Sequence, residues 1–244
     1  MASRPLAIVT GATGAMGRCT VDDLSATHDV VALGRNQAAL EELDRLDHVT
    51  ARALDLADTD ALAAVLEPLE RIDVLVHVAA ISVRLTVEEA RPADWREHFE
   101  TNVVAPAELT RLALPKLRES RGTVIFIGSG ASRVPAAGHV VYTASKHALL
   151  GLADTLRIDE ALSGVRVSTI APGPTNSGML RENREQAGAD YEPDHYLRPE
   201  SIAQAVRYVV DAPPDAQITD VLVRPRVELH LRRDEPESQP RRSA

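Results

Sequence analysis

Residues 6–17 read Leu6-Ala-Ile-Val-Thr10 and then Gly11-Ala-Thr-Gly14-Ala-Met-Gly17, and a helical stretch continues to about Ala26. The first five residues are apolar without polar alternation, which is typical of a strand that is buried on both faces of a sheet. Glycines let the backbone approach a phosphate closely, and the start of the following helix offers free N–H groups and a positive dipole end. The order of strand, glycine turn and helix therefore predicts a site for the pyrophosphate of a dinucleotide.

The rest of the chain repeats the alternation of apolar strands and helical stretches. This pattern predicts an α/β fold with a doubly wound parallel sheet of about seven strands, helices on both faces, and a ligand crevice where the strand order reverses. The further predicted strands are residues 29–36, 48–54, 72–78, 123–128, 165–171 and 218–223.

Length and composition set the domain organisation. The chain has 244 residues, of which 44% are hydrophobic and 26% charged, as expected of a globular protein with one substantial core. We predict a single domain over residues 1–229. Residues 230–244 are charged, contain prolines and have no apolar face, so we expect a disordered tail there.

Charge and cysteine content exclude several classes of function. A formal net charge of −9 argues against a nucleic-acid surface. No run of eighteen apolar residues occurs, so no membrane span is expected. The start of the chain enters a strand at once and leaves no room for a signal peptide, which predicts a cytoplasmic protein. The single Cys19 cannot form an internal disulfide, and we expect no metal.

The stretch from Ser129 to Lys146 carries the candidate chemistry. Tyr142 and Lys146 are four residues apart at the start of a helical pattern, so their side chains share one face. An ammonium group beside a phenol favours the phenolate and lowers the pKa of the tyrosine, which suits it to proton transfer. Ser129 directly follows an apolar strand, where an α/β sheet presents its functional groups.

Together with Asn102, these residues resemble the compact branch of the short-chain dehydrogenase/reductase family, which has a Rossmann fold. The similarity covers roughly residues 5–225, and Ser129 precedes Tyr142 by the thirteen residues typical of that branch. The resemblance implies four catalytic residues. Tyr142 is the general acid and base, Lys146 lowers its pKa and holds the nicotinamide ribose, Ser129 donates a hydrogen bond to the substrate oxygen, and Asn102 keeps a water in a proton relay.

Two cofactor motifs depart from the compact branch. Ala15 stands where its middle glycine belongs, and Gly14 instead gives the spacing of the extended branch. On the fourth strand and its exit, His77, Val78 and Ala80 replace residues of the usual Asn-Asn-Ala-Gly sequence. His77 is flanked by apolar residues, so we interpret it as a hydrogen-bonded core histidine.

The exit of the second strand predicts the cofactor. An acidic residue there would bind the adenosine ribose of NAD and repel a 2′-phosphate, and none occurs at residues 33–37. Arg35 follows the strand directly and can pair with the 2′-phosphate of NADP. We therefore expect NADP(H), with NAD(H) as the alternative; a solvated surface role is the other interpretation of Arg35.

Further cofactor contacts follow from the resemblance. Asp55 would bind the adenine edge, although it or Asp58 could instead cap the next helix, and the loop Pro172-Gly-Pro-Thr175 would contact the nicotinamide amide. The expected cofactor-binding residues are Gly11, Thr13, Gly14, Met16, Gly17, Arg35, Asp55, Leu56, Ala79, Ala80, Asn102, Tyr142, Lys146, Pro172, Gly173 and Thr175.

The substrate is expected to lie between two variable segments, residues 81–91 and a lid over residues 176–197, which is polar and only partly helical in pattern. Candidate substrate contacts are Ser129, His139, Tyr142 and Met179. His139 could equally be a histidine of a surface loop.

These observations predict an NADP(H)-dependent oxidoreductase that interconverts a carbonyl and an alcohol on a small organic substrate by hydride transfer. A protein that senses NADP(H) without catalysis is one alternative, and a nucleotide-sugar epimerase or dehydratase is another. The helices near residues 101–119 and 141–162 have apolar character beyond one stripe. By resemblance, they would pair subunits into a homodimer or homotetramer.

Overall fold

A computed structural model describes residues 4–231. Its centre is a seven-stranded sheet in the order β3-β2-β1-β4-β5-β6-β7, and every pair of neighbouring strands is parallel. The predicted doubly wound α/β fold is therefore confirmed. The strands are β1 Leu6–Thr10, β2 Asp29–Gly34, β3 Val49–Ala53, β4 Val74–His77, β5 Thr123–Ile127, β6 Arg166–Pro172 and β7 Asp220–Val223.

Eight α-helices connect or follow these strands in the described part of the chain. They are α1 Ala15–Ser25, α2 Gln37–Leu43, α3 Thr59–Leu66, α4 Pro92–Phe99, α5 Ala105–Ser120, α6 Val140–Asp159, α7 Gly178–Gln186 and α8 Pro199–Val210. Short 3₁₀ turns occur at Gly130–Ser132, Pro193–His195 and Leu229–Leu231.

The strands alternate their side chains between two hydrophobic cores, one on each face of the sheet. On β1, Ala7 and Val9 belong to the core that α1 and α8 cover, with Leu24 and Val206 among its buried residues. Ile8 points to the opposite core, beneath α3, α5 and α6. Burial on both faces explains why the strands read as continuous apolar runs.

The strand order places the site. It reverses at β1 and β4, so the loops after these two strands diverge and leave a crevice at the carboxyl edge of the sheet. The strands β5 and β6 end at the same edge because all strands are parallel. The glycine turn, residues 78–91, Ser129 and the loop after β6 consequently meet there.

The sequence-based boundaries differ from the structure mainly where strands end. The third, fourth and last predicted strands are longer than β3, β4 and β7, because the apolar pattern continues into loop residues that make no strand pairing. The expected bend near residue 101 is a short π-helix over Glu100–Val104, which joins α4 to α5. The predicted tail lies outside the described residues except for residues 230 and 231, which belong to the last 3₁₀ turn.

The lid segment is tied down at its base. Thr175 pairs with Leu197 in an isolated bridge, the Asn176 N–H donates to the Leu197 carbonyl at 2.8 Å, and the Leu197 N–H donates to the Pro174 carbonyl at 2.9 Å. Between these points the segment carries helix α7, so the lid is a loop whose two ends lie side by side.

None of the helices in residues 4–231 is long and apolar enough to cross a membrane. Within the same residues, no group of three or more His, Cys, Asp or Glu side chains is arranged to hold a metal ion.

Candidate active site

A first cavity of about 380 Å³ opens at the carboxyl edge between β1 and β4. Its lining residues extend from the exit of β2 across the glycine turn to the start of α7. Ten of the sequence-predicted cofactor residues line it: Gly11, Thr13, Gly14, Met16, Gly17, Arg35, Asp55, Leu56, Ala79 and Ala80.

The glycine turn is shaped for close backbone approach. A Cβ atom on Gly17 would lie 2.1 Å from the Gly11 carbonyl oxygen, so only glycine fits there without a backbone shift. Gly11 itself has φ +62°, in the left-handed region that favours glycine. Helix α1 begins after Gly14 with no side chain capping its first N–H groups, which leaves them to an anionic ligand. The turn thus fits a dinucleotide pyrophosphate.

The far end of this cavity contains the groups expected at the adenosine ribose. Arg35 is exposed there, next to Asn36, whose side chain caps α2 by accepting the Ala39 N–H at 3.1 Å. Asp55 accepts the Ala57 N–H at 3.1 Å, while Asp58 caps α3. The alternative capping role considered for these two aspartates thus belongs to Asp58, and Asp55 lies in the cavity.

A second cavity of about 810 Å³ adjoins the first. Among its lining residues are the sequence-predicted Ser129, His139, Tyr142, Pro172, Gly173, Thr175 and Met179. Met16, Ser177 and Met179 line both cavities, so the two spaces are continuous at this point.

Tyr142 and Ser129 face each other in the second cavity. Ser129 accepts the Ala131 N–H at 3.1 Å at the start of a 3₁₀ turn, which leaves its hydroxyl proton for another acceptor. A hydrogen bond from Ser129 lowers the pKa of Tyr142, but burial has the larger effect and raises it above the usual value. The pair therefore presents a protonated phenol beside a hydroxyl donor.

Lys146 lies on the same face of α6 as Tyr142 but does not contact its hydroxyl group. Its Nζ lies 5.8 Å from the Tyr142 ring centroid and donates to the Ile127 carbonyl at 2.9 Å. The side chain is 2% exposed, and burial lowers the pKa of Lys146 to about 8. Tyr142 and Lys146 share one helix face, as their four-residue spacing predicts, but the ammonium group of Lys146 points to the end of β5.

Asn102 lies in the π-helix and is fully buried. Its oxygen accepts the Ile81 N–H at 2.8 Å, and its amide donates to the Ile81 carbonyl at 2.9 Å and to the Ser145 hydroxyl at 3.0 Å. The side chain thus connects the loop after β4 with helix α6, which carries Tyr142 and Lys146. Neither Asn102 nor Lys146 lines a cavity wall; both lie behind it.

His77 has the structural role that its apolar neighbours predicted. Its Nε2 is 2.9 Å from the Thr110 hydroxyl, and its ring stacks on Phe126 with centroids 4.8 Å apart. Burial lowers the pKa of His77 to about 3, so the ring is neutral. The neutral His77 ring is thus a packing residue of the core below the site.

The remaining predicted residues also have definite positions. His139 directly precedes α6, its ring lies 6.4 Å from the Tyr142 ring, and it lines the second cavity. Burial and the nearby Arg84 lower the pKa of His139. Thr175 is buried and donates to the Gly173 carbonyl at 3.0 Å, which fixes the loop after β6.

Sequence reasoning missed several polar residues of the second cavity: Ser82, Arg84, Arg133, Asn183, Arg184 and Arg224. They come from four separate segments, and no local motif marks them. Four of these six residues are arginines. Ser82 and Arg84 lie within residues 81–91 and Asn183 within the lid, so the two predicted substrate segments do supply part of the wall.

The fold and the two joined cavities define a class: an oxidoreductase of the Rossmann type, with a dinucleotide groove beside a tyrosine-lined substrate pocket. The chain belongs to the short-chain dehydrogenase/reductase family, whose sequence pattern matches residues 5–188. It is an NAD(P)-dependent enzyme of this family acting on CH–OH and C=O groups.

Relatives and solved structures are similar along nearly the whole chain. An NADP-dependent 3-hydroxy acid dehydrogenase, YdfG, of Salmonella typhi is 33% identical over 90% of this chain and 94% of its own. A sulfoacetaldehyde reductase of Chromohalobacter salexigens is 31% identical, over 89% and 92%. The closed form of a serine dehydrogenase complexed with NADP+ is 29% identical, with a TM-score of 0.81 and coverage of 89% and 94%.

Proposed function

We propose that this protein reduces a carbonyl group on a small organic substrate, or oxidises the corresponding alcohol, with NADP(H) as the cofactor. The observation that carries the proposal is the position of Tyr142 and Ser129 in a cavity that joins the glycine-turn groove. Bound NADPH would supply the hydride. The chain's own residues bind and orient the reactants and move the proton.

Each of the four polar residues has a task in this proposal. The Tyr142 hydroxyl gives its proton to the carbonyl oxygen in reduction and takes it back in oxidation. Ser129 donates a hydrogen bond to the same oxygen and stabilises its developing charge. Lys146 lies behind the cavity wall on the same helix as Tyr142 and, by family resemblance, would hold the nicotinamide ribose of a bound cofactor. Asn102 positions Ile81 and Ser145 and, by family resemblance, holds a relay water.

The choice of NADP(H) over NAD(H) rests on the exit of β2. Arg35 lines the cofactor cavity, and no acidic residue occupies residues 33–37. A cation at this place attracts a 2′-phosphate, whereas a carboxylate would repel it. The similar 3-hydroxy acid dehydrogenase is NADP-dependent and the similar serine dehydrogenase is in complex with NADP+, which supports the same choice.

The test is a spectrophotometric assay of NADPH oxidation against a panel of small aldehydes, ketones and oxo acids. We expect turnover with at least one class, and a fall of 10²-fold or more in kcat for Tyr142→Phe, with NADPH affinity retained. Tyr191→Phe is a matched control because Tyr191 is bonded within the lid, to Asn176. Equal activity of Tyr142→Phe and the parent would refute the assignment.

We also propose assembly into a homodimer or homotetramer through α5 and α6. Ile158 at the end of α6 and the nearby Leu162 are largely exposed, which a partner copy would cover. Light scattering after size exclusion tests this, since a monomer at micromolar concentration is the opposing result.

A further inference from the structure

The second cavity is strongly basic although the chain is acidic overall. Four arginines line it, Arg84, Arg133, Arg184 and Arg224. The whole sequence carries 36 Asp and Glu residues and a net charge of −9, yet none of the described cavity-lining residues is a carboxylate.

Two of these arginines are neutralised by neighbouring carboxylates. Arg133 forms a salt bridge with Asp220, and Arg224 binds both oxygens of Glu228, at 2.8 and 2.6 Å. Arg184 is engaged in the lid, where its Nε donates to the Asp190 carbonyl at 2.8 Å. These contacts hold the three side chains in the wall of the cavity.

Arg84 differs from them. Within residues 4–231, no carboxylate lies within salt-bridge distance of its guanidinium group. The side chain is exposed at the mouth of the cavity, against Gly138, where an added Cβ would lie 2.9 Å from Cζ. Its contact with the Ala137 carbonyl is long, at 3.5 Å. Glu89 is near enough for an electrostatic interaction with Arg84, but the two side chains form no salt bridge.

The position of Arg84 connects it to the reacting group. It is held between the lid, where its own N–H donates to the Gln186 side chain at 3.2 Å, and the loop that leads into α6. His139 follows that contact and lies beside Tyr142; burial lowers the pKa of His139, and the Arg84 charge adds to this effect. The charge of Arg84 therefore acts on His139, three residues before Tyr142.

We propose that Arg84 binds an anionic head group of the substrate, so that the substrate class is a small oxo or hydroxy acid whose carboxylate or sulfonate is a few atoms from the reacting carbon. This inference rests on the proposed function and names its substrate class. In reduction the carbonyl carbon gains the hydride supplied by NADPH, its oxygen gains the proton of Tyr142, NADP+ is formed, and the acid group is unchanged.

The first experiment compares charged substrates with a neutral isostere. Succinic semialdehyde, sulfoacetaldehyde and the methyl ester of succinic semialdehyde are reduced with NADPH by the parent, Arg84→Gln, Arg84→Lys and Arg133→Gln. We expect the parent to prefer at least one acid over the ester by about 10-fold in kcat/KM, as a hydrogen bond to a charged group provides. Arg84→Gln should lose this preference because KM rises much more for the acids than for the ester.

The controls separate binding of the anion from a structural role. Arg133→Gln removes a cation that is already paired, so the acid preference should persist, and Arg84→Lys should keep part of it. Equal use of acid and ester by the parent, or an equal loss of both in Arg84→Gln, would overturn the inference. If no carbonyl compound is reduced at all, the proposed function fails instead.

A binding measurement does not depend on turnover. Calorimetric titration of the NADP+ complex with succinate and with succinamide should give tighter binding of succinate, by about 10-fold, and this difference should vanish in Arg84→Gln. Succinamide binding as tight as succinate in the parent would contradict the proposal whatever the enzyme turns over.

Discussion

The Lys146 ammonium group lies 5.8 Å from the centre of the Tyr142 ring and is hydrogen-bonded to the end of β5. Both side chains come from the first turns of α6; Lys146 is buried, whereas Tyr142 is half-buried in the wall of the second cavity. In the protein alone the lysine is stabilised by a main-chain carbonyl, and the phenol by Ser129. Burial shifts the pKa of each group toward its neutral form.

The first prediction concerns Lys146 and pH. The pKa of Lys146 is lowered to about 8 in the folded protein, so between pH 8 and the usual lysine value the unfolded chain binds more protons. The unfolding free energy of the parent, measured relative to Lys146→Met, should therefore rise over this range by up to about 3 kcal/mol. Denaturant titrations from pH 7 to 10.5 measure it.

Other lysines contribute little to the pH dependence of unfolding, because Lys116 is the one other lysine in the sequence. Lys116→Met serves as the control, since its Nζ lies partly exposed beside the Leu66 carbonyl. A difference between the parent and Lys146→Met that stays constant with pH would show that the buried group does not titrate in this range.

The second prediction concerns the cofactor. Arg35→Ala should weaken NADP+ binding by about 10- to 100-fold through loss of a charge-assisted contact, and leave NAD+ binding nearly unchanged. Arg18→Ala is the control, because Arg18 is on the neighbouring helix and is already paired with Glu42 at 2.6 Å. Titration by calorimetry measures both affinities; tighter binding of NAD+ than NADP+, insensitive to Arg35, would exclude the assignment.

The third prediction concerns the glycine turn. Gly17→Ala places a methyl group 2.1 Å from the Gly11 carbonyl oxygen, so the backbone must move, at a cost of about 1–3 kcal/mol. We expect a lower melting temperature and weaker NADP+ binding. Gly151→Ala is a matched substitution on α6 with nothing within 4 Å of the new methyl group. It should stabilise the protein by up to about 1 kcal/mol.

The fourth prediction concerns the lid. The Asn183 amide donates to the Ser82 hydroxyl at 3.2 Å and joins α7 to the loop after β4. In Asn183→Ala, amide hydrogen exchange over residues 178–186 should increase and kcat/KM should fall several-fold. Glu182→Ala, an exposed position on the same helix, should change neither. Unaltered exchange in Asn183→Ala would mean that other contacts hold the lid.

The features of the fold that could be predicted from the sequence are those that depend only on residues close together in the chain. The apolar run Leu6–Thr10 is a strand because it is buried on both faces, and the following glycines are required by the close approach within the turn. The spacing of Tyr142 and Lys146 follows from helix geometry, so their common face was predictable. These inferences need only neighbours in sequence.

The parts that sequence did not predict depend on distant contacts. The orientation of Lys146 toward Ile127 is decided by β5, nineteen residues away. Burial raises the pKa of Tyr142, and no local sequence pattern reports that burial. Arg84, Asn183 and Arg224 come together only after the sheet has brought their loops to one edge. The basic character of the substrate pocket could not be found from any single stretch.

The sharing of Met16, Ser177 and Met179 by both cavities has a practical consequence. A dinucleotide in the groove would form one side of the neighbouring pocket, so the empty protein and the loaded protein offer small molecules two different shapes. Inhibitor or substrate searches should therefore be run with saturating NADP+, and hits obtained without it would be expected to report on a space that the working enzyme does not have.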